Sequence, residues 1–481
     1  MTRIIIFFTL LFVTTCYSQQ VSYVHGHSND DRAYSVALNG KGGYVLAGSE
    51  RYAADSSERI VVMNISLYGN TIWKTVIDGP HHEVAEHIEK TADGGYIVTG
   101  TRWDLGYGRS DMYLLKLNKD GEIEWDNYYG GNHRDEGFCV KQTSDNGFVM
   151  TGFTKSDIGT DVGQLYVVKV DLSGVIQWER KLGDFGKDYA FDVQELAMGN
   201  YLITGEKSGF HGYSTFEFKH PDSDVFIVSL DADGTLIWQN YYGGVGNELA
   251  YESVEMPDGG IAVIGSTQSF GAGSFDMYLL QLDDQGNELS SATFGGTGFD
   301  YGRSIDRFGD YLFLAGSVNL DTNSNKTDVR IIKTDLNGSE IWSYYFGGEE
   351  SEYAYKVRAL KDGGCVVVGS TRSFGNGGED MFLLRLSSEG EVILLKTPLN
   401  EKFYVYPNPT ADFITFEVND DRDCLKYTYE VIDETGRVVY ATDKSITSLC
   451  LDVSKYSSGV YLVRVTSLCD FSQYRSKFWK K

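Results

Sequence analysis

Short apolar runs separated by turn residues recur along almost the whole chain. Residues 95–101 and 112–117 are two such runs, and steps such as Asp93-Gly94 and Asp120-Gly121 stand beside them. Runs of this length, bounded by glycine and aspartate, predict β-strands joined by tight turns. Long stretches with a 3.6-residue apolar period are missing, so the pattern predicts an all-β protein.

The runs are organised into seven copies of a unit of about 52 residues, and each copy contains four strand-length segments. Four antiparallel strands form one blade of a β-propeller, in which each blade covers the faces of its neighbours. We therefore predict a seven-bladed β-propeller over residues 19–397. In five copies a tryptophan stands four positions after the turn glycine of the third segment, and we expect it to fill the contact between blades. These tryptophans are Trp73, Trp125, Trp178, Trp238 and Trp342.

Two segments compete for the place of the last strand of the ring. Residues 21–25 align with the fourth segment of a copy, and residues 391–397 also have the pattern of a fourth strand. Either segment closes the propeller in this interpretation. An open array of seven sheets is the alternative, and it would expose a blade face at each end.

The first 18 residues have the pattern of a signal peptide. Arg3 precedes an apolar run over residues 4–13, and Cys16 and Ser18 provide small residues before a cleavage site. The alternative, a lipidated Cys16, is disfavoured by the threonine immediately before it. No later run reaches the roughly 18 apolar residues of a membrane-spanning helix, so we predict a secreted protein without a transmembrane segment.

Composition changes after a short linker over residues 398–403. Alternating segments over residues 404–481 predict a small immunoglobulin-like β-sandwich. Three cysteines, Cys424, Cys450 and Cys469, allow at most one disulfide in this domain, and the sequence does not choose the pair.

This C-terminal domain resembles the type A sorting domain of the type IX secretion system. The resemblance implies that the type IX machinery is a partner, that the protein crosses the outer membrane, and that the domain is then removed with release or attachment at the cell surface. The repeat, with Asp93-Gly94-Gly95 and the run over residues 111–117, resembles the propeller repeats of secreted Bacteroidetes proteins, which imply a fold and a location. The sorting motif consists of Tyr406, Pro407, Asn408, Pro409, Gly436, Gly459, Lys480 and Lys481.

The charge of the chain excludes one class of partner. The formal net charge is −26, and residues 401–481 are nearly neutral, so the acidity lies in the predicted propeller. An acidic surface repels phosphate backbones, and nucleic acid is therefore not an expected ligand.

An acidic residue opens every copy, and the seven acids are expected to ring the central channel near one mouth. Converging carboxylates suit a hard cation such as Ca²⁺. In the alternative, each carboxylate accepts hydrogen bonds from N–H groups of its own turn, and the strict repetition favours this role. The seven acids, called the loop acids below, are Asp31, Glu83, Asp135, Asp188, Glu248, Asp300 and Glu352.

Copy four departs from the repeat through a long loop. There are 18 residues between Gly205 and Asp224, against 10 or 11 in other copies. A long insertion above a channel mouth is a candidate ligand contact, and packing on the adjacent blade is the alternative. Its candidate contact residues are Phe210, His211, Tyr213, Phe216 and Phe218.

The sequence contains no catalytic constellation that we recognise. His81, His82 and His87 lie close together but match no metal-binding spacing. The first hypothesis is a non-enzymatic binding or scaffold protein that presents the propeller mouth to a glycan or protein. The second hypothesis is a secreted hydrolase or lyase that acts on polysaccharide at the same mouth.

Overall fold

The fold is described from a computed structural model of the chain. The described residues separate into two compact units, one within Val21–Lys396 and one within Thr397–Lys481. The ranges described are 21–51, 57–67, 69–79, 82–103, 110–156, 163–183, 186–208, 223–320, 324, 326–395, 403–406, 410, 413–418, 427–444, 448–467 and 473–480.

All regular structure in these ranges is β-strand, as predicted. Within them, no helix is long and apolar enough to cross a membrane. The strands are β1 (Tyr23–His25), β2 (Asp31–Leu38), β3 (Tyr44–Arg51), β4 (Glu58–Ile65), β5 (Thr71–Ile77), β6 (Glu83–Lys90), β7 (Tyr96–Trp103), β8 (Ser110–Leu117), β9 (Ile123–Tyr129), β10 (Asp135–Gln142), β11 (Phe148–Thr154), β12 (Gln164–Val170), β13 (Ile176–Leu182), β14 (Asp188–Glu195), β15 (Tyr201–Ser208), β16 (Ser223–Leu230), β17 (Leu236–Tyr242), β18 (Glu248–Glu255), β19 (Ile261–Thr267), β20 (Asp276–Leu282), β21 (Glu288–Phe294), β22 (Asp300–Phe308), β23 (Tyr311–Val318), β24 (Asp328–Asp335), β25 (Glu340–Phe346), β26 (Glu352–Ala359), β27 (Cys365–Thr371), β28 (Asp380–Leu386), β29 (Phe403–Tyr406), β30 (Phe413–Val418), β31 (Tyr427–Ile432), β32 (Val438–Lys444), β33 (Ser448–Asp452), β34 (Gly459–Ser467) and β35 (Gln473–Lys480).

The predicted seven-bladed propeller is confirmed. Blades 1 to 6 are the antiparallel sheets β2–β5, β6–β9, β10–β13, β14–β17, β18–β21 and β22–β25, and blade 7 contains β26, β27 and β28. Apolar side chains from facing sheets form seven cores, each shared by two neighbouring blades. One of these cores joins blade 7 to blade 1, so the described strands form a closed ring.

The N-terminal strand closes the ring. β1 pairs antiparallel with β28, with Tyr23 opposite Leu383 and His25 opposite Met381. Val392 forms a single bridge to Leu386 at the other end of the same edge. The place of the fourth strand in blade 7 is therefore taken mainly by β1 and is extended by the segment around Val392.

The repeated tryptophans lie between blades, where each indole packs against a turn glycine of the next blade. Gly121 has a φ of 82°, and a Cβ added there would lie 2.5 Å from Trp73 of the preceding blade. The same contact joins Gly234 to Trp178. Glycine is required at this turn because it tolerates positive φ and because the indole of the preceding blade occupies the space of a side chain.

The C-terminal unit is a sandwich of two antiparallel sheets. One sheet has the order β29-β30-β33, and the other has the order β32-β31-β34-β35. Alternate residues of both sheets meet in one core, in which Phe416 and Leu451 face Tyr429 and Val463. This arrangement agrees with the small β-sandwich predicted from the alternating segments.

Candidate functional site

The first strand of every blade lines the centre of the propeller and carries a β-bulge at its fourth residue. A bulge inserts one extra residue into a strand and re-aims a side chain. All seven bulged residues line one central cavity of about 200 Å³. We call them the chamber ring, and they are Tyr34, Glu86, Phe138, Phe191, Tyr251, Arg303 and Tyr355.

Aromatic rings form most of the chamber wall. The ring of Phe191 lies 5.3 Å from that of Phe138 and 5.2 Å from that of Tyr251, measured between centroids. The Arg303 guanidinium carbon lies 4.1 Å from the Tyr251 ring centroid, at the distance of a cation–π contact. Because these residues are not fully buried, their ring faces are open to the cavity.

Two carboxyl groups that interact with the charge of Arg303 have raised pKa values, and one of them, Glu86, lines the chamber. Burial, with a further contribution from Glu136, raises the pKa of Glu86 to about 7. Burial also raises the pKa of Glu206 to about 7, although the positive charge of Arg303 opposes the shift. Both groups therefore change protonation near neutral pH, which is the range in which a carboxyl group either donates a proton or carries a charge.

The residues that follow the bulges form the floor of the chamber, and we call them the floor. They link neighbouring blades, because Ser35 Oγ accepts a hydrogen bond from Ile88 N at 3.2 Å and Ser304 Oγ accepts one from Val357 N at 3.0 Å. The floor residues are buried, with exposures between 0 and 7%. They are Ser35, His87, Cys139, Asp192, Glu252, Ser304 and Lys356.

Ionic contacts across the floor join blades that are not neighbours. Lys356 of blade 7 donates a hydrogen bond to the Glu252 carboxylate of blade 5. Arg358 Nη2 of blade 7 lies 3.3 Å from His87 Nε2 of blade 2. Burial by itself would raise the pKa of Glu252, but the positive charges of Lys356 and Arg358 outweigh it and lower this pKa. At the floor, the buried negative charge of Glu252 is thus compensated by the positive charges of Lys356 and Arg358.

The loop acids are buried beneath the turns that precede them, with exposures between 0 and 2%. In blades 1, 2, 3, 5, 6 and 7 the carboxylate accepts a hydrogen bond from the backbone N–H four residues earlier. Asp135 also accepts from the hydroxyls of Thr154 and Ser156. These acids fasten the loop between blades, as the capping alternative expects, and Ca²⁺ binding by them stays a prediction.

The other predicted site residues are divided between described and undescribed parts of the chain. The aromatic loop residues Phe210, His211, Tyr213, Phe216 and Phe218 lie outside the described residues. Of the histidine cluster, His87 belongs to the floor and His81 lies outside the described residues.

Part of the sorting motif is placed in the C-terminal sandwich. Gly436 has a φ of 84° in the turn between β31 and β32, where its N–H bonds to Asp433 O at 3.0 Å. Gly459 begins β34, and Lys480 ends β35 with 7% exposure. Pro407, Asn408, Pro409 and Lys481 lie outside the described residues.

The chamber ring was missed by sequence reasoning, although the repeat contains a signal for it. Its members stand three residues after each loop acid and directly follow a small residue, such as Ala33 or Gly302. The position holds aromatic, acidic and basic residues, whereas the position before it is alanine or glycine in every copy. Regular two-residue alternation does not predict a bulge, so the direction of these side chains could not be read from the pattern.

The fold and the described site define a closed seven-bladed propeller with a central chamber, followed by a β-sandwich. Residues 404–478 match the family described as a secretion system C-terminal sorting domain. The predicted resemblance is therefore confirmed, and the chain is a secreted propeller protein that the type IX secretion system sorts to the cell surface or beyond.

Three further proteins resemble this chain at low sequence identity. An uncharacterized WD repeat-containing protein of Acanthamoeba polyphaga mimivirus is 21% identical over 235 residues, which cover 46% of this chain and 14% of that protein. The structure of PorZ, a surface component of the type IX secretion system of Porphyromonas gingivalis, has 13% identity and a TM-score of 0.40, covering 94% of this chain and 70% of PorZ. A puromycin hydrolase has 11% identity and a TM-score of 0.48, covering 92% of this chain and 60% of that enzyme. These similarities assign no ligand or activity to the chain.

Proposed function

We propose that this protein is a non-enzymatic binding protein that holds one sugar residue of a glycan in its central chamber. In this proposal the signal peptide over residues 1–18 is removed, the propeller over residues 19–397 is the cargo, and the domain after the linker over residues 398–403 directs export. The observation that carries the proposal is the chamber ring, in which five aromatic rings surround a cavity together with one carboxyl group and one guanidinium group.

The chemistry of the wall supports a sugar as the ligand. Binding sites for small molecules combine apolar and aromatic walls with a few polar groups that fix orientation. A pyranose offers C–H faces to rings such as Phe191 and Tyr251, and hydroxyl groups to Glu86 and Arg303. The cavity of about 200 Å³ lies below the usual range of about 300–1,000 Å³ for ligand pockets, so it suits one ring rather than an oligosaccharide.

The closed floor supports recognition of the end of a glycan. The floor residues are almost fully buried, and the Glu252–Lys356 ion pair crosses beneath the cavity. A chain threaded through the propeller would have to break this pair, which is costly for buried charges. A terminal or branching sugar enters from one mouth without disturbing it.

Binding is tested by screening the labelled full-length protein on a glycan array and measuring the best sugar by calorimetry. We expect Tyr251→Ala to weaken binding at least tenfold, because it removes a wall face and the support of Arg303. The matched control is Tyr345→Ala, which removes an exposed tyrosine on the outer strand β25 and should leave binding unchanged. Equal affinities of the Tyr251 variant and the parent protein would exclude the chamber as the binding site.

A second candidate function is favoured by one observation. Glu86 and Glu206 both have pKa values raised to about 7, which suits a general acid at neutral pH. A polysaccharide hydrolase with its site at the propeller mouth would use such groups. Release of reducing sugar that is abolished by Glu86→Gln or Glu206→Gln would replace the binding proposal with this one.

A further inference from the structure

Blade 1 departs from the other blades at the residue that faces its loop acid. In the first hairpin of each blade, the loop acid lies directly opposite one residue of the second strand. In blades 3, 5 and 7 that residue is a threonine whose hydroxyl donates a hydrogen bond to the acid. The facing residues, in blade order, are Glu50, Arg102, Thr154, Lys207, Thr267, Val318 and Thr371.

Only in blade 1 of these seven pairs does a second carboxylate face the loop acid. Asp31 and Glu50 are both 0% exposed. Two buried carboxylates on directly opposed residues repel each other, and either cations or protonation of one group relieves the repulsion. Lys74 supplies one positive charge, with its Nζ 2.6 and 2.8 Å from the two Glu50 oxygens.

Two histidines complete the group, one at the end of the closing strand and one two residues after it. His25 Nε2 lies 3.1 Å from Glu50 Oε1, and His27 Nδ1 lies 3.4 Å from Asp31 Oδ2. Across the described residues, one set of three metal-ligating side chains has all its ligand atoms within 4.8 Å of one another, and that set is His25, His27 and Glu50. We call these three residues together with Asp31 the clasp.

We propose that the clasp binds one divalent transition-metal ion of the Zn²⁺ class and that this ion fastens the closing strand to blade 1. Zinc prefers imidazole nitrogen and carboxylate oxygen at about 2.0–2.2 Å in four-coordinate sites, which places neighbouring ligand atoms about 3.4 Å apart. Within the set of three, the His25–Glu50 separation of 3.1 Å is close to this spacing, and Asp31 adjoins the set through its Oδ2, 3.4 Å from His27 Nδ1. A Ca²⁺ ion is a poorer match, because it prefers six to eight oxygen ligands.

Asp31 gives the second, independent observation. Its Oδ2 accepts a hydrogen bond from His27 N at 2.5 Å. Its Oδ1 is buried and has no hydrogen-bonding partner among the described residues. A buried carboxylate oxygen without a donor is costly, and a metal ion in the clasp compensates its charge.

Lys74 and the ion compete for the same carboxylate. Lys74 is 25% exposed on its side chain, so its flexible stem allows the ammonium to move into solvent when the metal binds. Metal binding therefore replaces the mobile Lys74 ammonium with a bound divalent ion. Because β1 belongs to the sheet of blade 7 whereas Asp31 and Glu50 belong to blade 1, the ion links the two ends of the ring.

The test uses the full-length protein after dialysis against a chelator, with Zn²⁺ alone as the probe. Calorimetry should show one high-affinity ion per chain that is lost in His27→Ala. Zinc at about 100 times its Kd should raise the midpoint of thermal unfolding by at least about 4 °C. Absence of a zinc-dependent shift in the parent protein overturns the proposal.

His27→Ala is the informative variant, because the His27 side chain is about half exposed and its loss leaves the chelated protein folded. We expect this variant to keep the midpoint of the chelated parent and to lose most of the zinc-dependent shift. The matched control is His133→Ala, which removes a histidine from the corresponding loop of blade 3 and should retain the full shift. A zinc-dependent shift that survives His27→Ala unchanged would place the metal elsewhere and refute the clasp.

Two further measurements separate metal binding from a purely structural ion-pair cluster. Lys74→Ala should tighten zinc binding, because it removes the competing cation, whereas a cluster without metal gains nothing from zinc in this variant. Cobalt bound in place of zinc should give visible ligand-field bands without a thiolate charge-transfer band, because the clasp contains no cysteine. A thiolate band would assign the metal to cysteines and overturn the proposal.

Discussion

Two rings of seven residues lie only three positions apart along the first strands of the blades, and they differ in almost every physical respect. The loop acids are all Asp or Glu, are almost fully buried, and in six blades accept a hydrogen bond from the backbone of their own turn. The chamber ring contains tyrosine, phenylalanine, glutamate and arginine, is open to the cavity, and interacts with neighbours through ring faces. The comparison indicates that the loop acids, which hardly change between blades, maintain the scaffold. The chamber ring, which varies from blade to blade, determines the chemistry of the central cavity.

The largest effect should come from the floor, whose residues directly follow the chamber ring in the sequence. Glu252→Ala should lower the free energy of unfolding by about 3–5 kcal/mol, because it leaves Lys356 and Arg358 buried without their carboxylate. Urea denaturation measures the change. The double variant Glu252→Leu with Lys356→Met should recover much of the loss, and a single variant as stable as the parent would contradict the ionic role of the floor.

The next effect should come from a loop acid. Asp135→Ala should lower the free energy of unfolding by about 2–3 kcal/mol, because the Gly131 N–H and two hydroxyls lose a buried acceptor. The control is Asp120→Ala at an exposed turn, which should change stability by no more than about 0.5 kcal/mol. If both substitutions had equal effects in urea denaturation, the loop acids would not be the fasteners described here.

A chamber residue should matter less for stability than a loop acid. Phe138→Ala should lower the free energy of unfolding by about 1–2 kcal/mol, since the ring is only half buried and faces the cavity. Urea denaturation of this variant and of Asp135→Ala compares the two losses in the free energy of unfolding. A loss larger than that of Asp135→Ala would make the chamber ring part of the scaffold.

The smallest effect should be the pH dependence of Glu86. The unfolded carboxyl ionises near 4.5 and the folded one near 7, so between these values the folded state retains a proton that the unfolded state has lost. The free energy of unfolding therefore decreases as the pH rises from about 4.5 towards 7. Glu86→Gln should be more stable than the parent by about 1 kcal/mol at pH 8, after a discount for partial exposure, and equal to it at pH 4.

Denaturation at the two pH values tests this, with Glu122→Gln on an exposed turn as the control. A variant that differs from the parent equally at both pH values would show that the carboxyl keeps ordinary acidity in the chamber.

The sequence was sufficient to predict the propeller, because turn glycines and apolar runs repeat with a fixed spacing and one blade cannot bury both faces alone. It was also sufficient for the sorting domain, whose motifs follow one another in order. The chamber could not be predicted, because it depends on bulges that redirect Tyr34 and its six counterparts against the two-residue period. The closing strand could not be chosen either, since residues 21–25 and 391–397 have equally suitable patterns and only tertiary pairing separates them.

The pairing of β1 with β28 joins residues about 360 positions apart, and such a contact forms late because its loop must first be closed. The ring of blades therefore closes only after β28, which ends at Leu386, has been synthesised and has paired with β1. A chain that ends before blade 7 lacks both contacts of this blade, so the apolar faces of blades 1 and 6 that pack on it are exposed to water.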